Sequence, residues 1–197
     1  MFVTFEGIDG SGKSTQTELL AEALRSDGRR VVATREPGGT ELGERIRELL
    51  LGGIHVSPWS EAALFSAARA QLVEEVIYPA LLDGADVVCD RYIDSSLAYQ
   101  GLARGLGVDR VLELNLHATR GLLPDRTFLV LLDPAEAVKR SAQPDRIEQE
   151  GLAFQEEVDQ AYRELAGLFP NRITTLDGTK SPSKLAKEVR DQLRALA

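Results

Sequence analysis

Cysteine is almost missing from this chain. A single Cys89 excludes an internal disulfide framework, so packing alone must hold the core. Cys89 sits in the apolar run Val87-Val88-Cys89 and reads as a buried, inert thiol. Histidine is scarce as well: His55 and His117 are the only two, and neither falls in a catalytic pattern. No apolar run approaches the roughly 20 residues needed to cross a bilayer. The first residues lack a basic stretch followed by an apolar segment and a cleavage site, so no secretory signal is expected. A cytoplasmic protein is the simplest reading. Positive charge is in deficit, with 23 Lys and Arg against 31 Asp and Glu. A domain that grips a nucleic-acid backbone usually carries a basic stripe, and none is evident here. Neither nucleic acid nor a membrane is therefore expected as a partner. An acidic chain can still bind phosphates, because its pocket sets the local field.

What is present is an alternation of short β-rich runs and longer helical patterns. Strands are predicted at 2–6, 30–34, 86–90, 127–132 and 172–176. Four are nearly continuous apolar runs, as strands buried on both faces of a parallel sheet are; the fifth is more polar and suits an edge. Helical spacing marks 14–25, 41–51, 60–82, 109–119, 134–141, 154–168 and 182–196, with Pro79 placed to kink or end the third of these. Ser57-Pro58 and Ser181-Pro182 are helix starts. No repeat or linker interrupts the pattern, so one domain over 1–197 is expected, with an α/β fold and helices on both faces of a parallel sheet.

Gly7-Ile8-Asp9-Gly10-Ser11-Gly12-Lys13-Ser14-Thr15 lies between the first strand and the first helix and satisfies the whole phosphate-loop pattern. Glycines let the backbone wrap tightly and turn its N–H groups inward. The following helix adds its positive end. In such loops the lysine, here Lys13, reaches the β- and γ-phosphates, and the hydroxyl, here Ser14, ligates Mg2+. Asp90 closes the apolar third strand, where a carboxylate holds Mg2+ directly or through water. A bound nucleoside triphosphate follows, but the reaction does not.

Further motifs narrow the class. Thr34-Arg35-Glu36-Pro37-Gly38-Gly39-Thr40 resembles a segment of the bacterial thymidylate kinases. So do Phe65 with Arg69, the Asp90-Arg91-Tyr92 stretch running through Ser95-Ser96 to Ala98-Tyr99-Gln100, and Asp145-Arg146-Ile147-Glu148. The matches occur in that family's order and cover most of residues 1–180. The resemblance implies a P-loop kinase fold with five parallel strands in the order 2-3-1-4-5, ATP as phosphoryl donor, dTMP as acceptor, Mg2+ as cofactor and a homodimer. It also implies a short lid over 141–151.

The same resemblance suggests roles. Phe65 would stack on the pyrimidine, and Arg69, one turn on, would donate to O4 of thymine. Arg91 would hold the acceptor phosphate, with Arg47 as a second clamp. Pro37, Ser95, Ser96 and Gln100 would complete the acceptor site, Ser96 facing the base edge. Tyr99 would lie where a ribose 2′-hydroxyl would clash. Asp9, a carboxylate inside a phosphate loop, would serve the acceptor side. Some relatives carry an arginine where this chain has Gly10, whereas others supply that charge from the lid. Gly10 places the chain with the second group, with Arg146 as first candidate and Arg140 as second. No covalent intermediate is expected, and because an acceptor phosphate oxygen is already anionic, no general base is required. A guanine-specific switch protein would need an Asn-Lys pair, but Asn115 and Asn171 precede Leu116 and Arg172.

Overall fold

A computed structural model describes residues 1–140 and 145–194. Residues 141–144 of the expected lid, and the end of the expected last helix, lie outside the described residues. The strands are β1 (Phe2–Glu6), β2 (Val31–Arg35), β3 (Asp86–Asp90), β4 (Arg126–Leu131) and β5 (Ile173–Asp177). They form one sheet in the order β2-β3-β1-β4-β5, with every neighbouring pair parallel. This is the expected topology. Three strands are displaced by one residue from the sequence reading, within the fraying of any strand end.

Alternation along the strands builds two cores. Val3 and Phe5 of β1, Val88 of β3 and Phe128 and Val130 of β4 pack against Leu20, Leu24, Leu185 and Val189. The latter come from α1 (Lys13–Ser26) and α9 (Pro182–Arg194), which cover one face. Phe5 and Phe128 stack there with centroids 5.5 Å apart. Phe2, Val87, Cys89 and Leu129 point the other way, into a larger core with Leu72, Val111, Val158 and Leu165. Its helices include α3 (Pro58–Leu72), α6 (Val108–Ala118) and α8 (Leu152–Leu168). α2 (Glu41–Leu51) lies against α3 through Ile46, Leu50 and Ala68. α7 (Pro134–Arg140) follows β4.

Two departures from the sequence reading shape the site. The helix expected over 60–82 is broken. After α3 the chain widens into a π-turn at Val73–Ile77 before α4 (Tyr78–Leu82). Pro79 has no N–H to donate, and its ring would crowd the carbonyl four residues earlier, which the wider turn relieves. In addition, α5 (Ile93–Ser96) runs on as a π-helix over Leu97–Ala103. The serines and glycine in this stretch, together with its shortness, hid it from pattern reading. It carries Ser95, Ser96, Tyr99 and Gln100. Together with the loop after β1 and Asp90 at the end of β3, it brings the candidate residues to the carboxyl ends of the strands, where open α/β sheets bind ligands.

Candidate active site

The loop from Gly7 to Gly12 ends at Gly12, whose φ of 98° starts α1 with no side-chain cap. The first turn of α1 contains no acidic residue. Its N–H groups and positive end therefore remain for an anion. At Gly10, φ is 81°, and a Cβ would lie 2.3 Å from the Ala137 carbonyl oxygen, so no side chain fits there. Positive charge at this point of the loop has to come from another element. Ser14 Oγ donates to Asp90 Oδ2, joining the two residues expected to hold Mg2+. Asp90 Oδ1 is buried, with no hydrogen-bond partner among the described residues. A hydroxyl beside a carboxylate with an unmatched oxygen suits a hard divalent cation that takes its other ligands from phosphates and water.

Asp9 is the junction of the site. One of its oxygens accepts from Lys13 Nζ at 2.8 Å and from Arg91 Nη2 at 2.7 Å. Burial would raise this carboxyl, but Arg91 and Lys13 outweigh it and hold the pKa well below the usual carboxylate range. Arg91 follows β3 with φ at 71°, a left-handed conformation unusual outside glycine. Its other terminal nitrogen meets Ser95 Oγ at 3.1 Å and Tyr162 Oη at 3.2 Å, and its guanidinium lies 5.4 Å from the centre of the Tyr99 ring.

A cavity opens beside Asp9. It is lined by Pro37, Arg47, Phe65, Arg91, Ser95, Ser96, Tyr99 and Gln100, all expected acceptor residues. Arg47 is steadied by a 3.0 Å bond from Nη1 to the Pro37 carbonyl. The Tyr99 hydroxyl is buried without a partner among the described residues. Glu36, Leu51, Asp145 and Ile147 complete the lining. Sequence reading placed Glu36, Asp145 and Ile147 in motifs without assigning them to the site, and gave no signal for Leu51.

Arg69 is not part of that lining. It is buried behind it, with Nε 2.8 Å from Glu36 Oε2, Nη1 3.0 Å from Ser96 Oγ and Nη2 3.0 Å from the Tyr92 carbonyl; Nη1 also donates to Asn115. All three guanidinium nitrogens are engaged, so a bond to a base would have to replace one of these. Arg146 is engaged outside the phosphate loop, with Nε 2.7 Å from the Leu50 carbonyl and Nη2 2.5 Å from Glu61. Arg140 is exposed at the end of α7, with Nη1 3.5 Å from the Gly10 carbonyl. Behind the cavity, the buried Glu6 accepts from Tyr92 N at 2.7 Å, Ser95 Oγ at 2.6 Å and Tyr162 Oη at 2.8 Å. Burial, reinforced by the charge of Asp94, pushes its carboxyl upward against the pull of Arg91.

Comparison with known proteins gives one answer. The family model described as thymidylate kinase matches residues 5–189. A thymidylate kinase of Deinococcus radiodurans is 47% identical, over 96% of this chain and 94% of the relative. One from a Thermoanaerobacter species is 43% identical, over 98% and 97%. Among solved structures, the thymidylate kinase of Ehrlichia chaffeensis superposes with a TM-score of 0.83 at 35% identity, covering 98% of both chains.

Glu36 yields a pH test. Burial, opposed by Arg69, pushes its carboxyl from 4.5 up to about 7. Between those values the folded chain keeps a proton that the unfolded chain has released, so this group's contribution to stability declines as pH rises. Glu36→Gln removes that titration. The stability of wild type minus that of Glu36→Gln, measured by urea unfolding, should fall as pH rises from about 4.5 to about 7 and level off beyond. A difference that is constant or rising across the window contradicts the assignment.

Proposed function

The chain belongs to the thymidylate kinase family, and on that premise we propose that it transfers the γ-phosphoryl group of ATP to dTMP, giving dTDP and ADP. The observation that carries the reading is the continuity of the two half-sites. Asp9 of the phosphate loop is itself part of the wall of the cavity that holds Phe65, Tyr99 and Arg91. A monophosphate on Arg91 would have its phosphate next to the loop that holds the triphosphate.

The residues divide the work by chemistry. The α1 terminus and Lys13 would neutralise the donor phosphates. Phe65 offers a flat apolar face to the pyrimidine, and Arg91 with Arg47 presents two guanidinium groups to the acceptor phosphate. Tyr99 occupies the sugar side. Ser14 and Asp90 would hold Mg2+, which when bound would neutralise charge on the triphosphate. The acceptor oxygen is anionic at neutral pH, so no side chain need remove a proton, and Asp9 serves to orient Lys13 and Arg91. Since no side chain fits at Gly10, the remaining positive charge would come from Arg140, whose guanidinium already approaches that loop. Arg146, turned toward Glu61, would serve the acceptor side instead.

We also propose a cytoplasmic homodimer. No described helix is long and apolar enough to cross a membrane. Tyr78 and Leu82, one turn apart on α4, leave exposed apolar surface of the kind a second copy would cover.

The activity is tested by ADP release across the nucleoside monophosphates, ribo and deoxy. The highest kcat/KM is expected for dTMP. Preference for a purine monophosphate, or ADP release indifferent to the acceptor, contradicts the reading. The charge assignment is tested separately. Arg140→Ala should lower kcat by ~10²-fold or more while leaving the dTMP dissociation constant nearly unchanged, the pattern of a contact made in the transition state. A near-normal kcat in Arg140→Ala would return the role to Arg146.

A further inference from the structure

Glu61, in the first turn of α3, is a charged residue with 1% exposure. Its carboxylate gathers groups from two other parts of the chain. Gln100 Nε2 donates to Oε1 at 2.9 Å from the π-helix. Arg104, just after that helix, contacts both oxygens at 3.3 Å. Arg146 Nη2 donates to Oε2 at 2.5 Å from the segment 145–151. Arg104 returns to that segment through Glu150, with Nη1 2.8 Å from Oε2, and lies 4.4 Å from the centre of the Phe154 ring. Two acids and two arginines thus close a neutral quartet. Gln100, Asp145 and Ile147, each held by this quartet or adjacent to a member of it, line the acceptor cavity, as does Phe65, one turn along α3 from Glu61.

A buried carboxylate is costly to desolvate, and such a quartet stabilises a fold no better than packed apolar side chains would. What it supplies is geometry. Without the charge on Glu61, Arg104 and Arg146 would face each other with one acid between them, and the Gln100 amide would keep only a neutral acceptor.

We propose that Glu61 is a positioning residue for dTMP phosphorylation: it docks the segment 145–151 through Arg146 and fixes Gln100, setting two walls of the acceptor cavity at once. It touches no substrate atom. This rests on the cavity being the dTMP site. Glu61→Gln should raise the dTMP KM by about tenfold, the scale of a lost charge-assisted hydrogen bond, with the ATP KM within about twofold of wild type. Arg146→Gln should raise it less, because Gln100 stays held by Glu61, and the double variant should be no worse than Glu61→Gln alone, because that variant already removes the shared contact. A folded Glu61→Gln enzyme with an unchanged dTMP KM overturns the proposal, as do single effects that multiply in the double variant. Should Glu61→Gln fail to fold, Arg146→Gln decides by amide hydrogen exchange. Faster exchange confined to 145–151 supports the contact, and unchanged exchange there overturns it. That readout needs no turnover, so it stands apart from the identity of the acceptor, which the wild-type substrate panel decides.

Discussion

The arrangement depends on the Asp9 carboxylate and the two cations it holds. A carboxylate within a phosphate loop should repel its ligand. Here it accepts from Lys13 and Arg91 through a single oxygen, so the loop's lysine and the first cation beyond β3 are held a few ångströms apart. The pair of cations keeps Asp9 ionised despite its partial burial. A phosphate arriving on either side would meet a donor that is already oriented, and the entropy of ordering those side chains would already have been met by folding. The left-handed backbone at Arg91 is part of the same constraint, since it turns the guanidinium back across the loop.

Around this junction, buried acids converge on one short stretch of chain. Glu6 binds Tyr92 and Ser95; Glu36 reaches Ser96 through Arg69; Asp94 pairs with Arg172 at 2.7 Å; and Glu61 binds Gln100. The segment from Tyr92 to Gln100 is thereby pinned from β1, from the turn after β2, from the residue before β5 and from α3. A π-helix has poorer backbone geometry than an α-helix and rarely persists without such support. Desolvating these charges brings little net stability. Its return is positional, because Ser95, Ser96, Tyr99 and Gln100 of this segment line the cavity.

The sequence disclosed what is local. The phosphate loop, its lysine and hydroxyl, and Asp90 were legible because their spacing is contiguous and their context is strand, loop and helix. Most of the cavity residues came instead from resemblance: no periodicity brings Phe65 to Tyr99. The strand order likewise lay beyond periodicity, which marks strands without ordering them. Glu6 and Glu61 were invisible, since a lone acid defaults to the surface and their partners lie far along the chain, Tyr162 being 156 residues from Glu6. Arg146 and Arg140 were named, yet their surroundings come only from the fold, which sets Arg140 near the Gly10 carbonyl and Arg146 against Glu61 and the Leu50 carbonyl.

The account stands on the donor loop and the acceptor cavity being one continuous site joined at Asp9. A crystal structure with dTMP and an unreactive ATP analogue bound together tests this directly. The account predicts the pyrimidine against Phe65, the monophosphate on Arg91, the triphosphate on Lys13 and the α1 terminus, and Asp9 between the two. A monophosphate bound outside the cavity bounded by Phe65, Tyr99 and Arg91, or a triphosphate bound away from the loop, would contradict it.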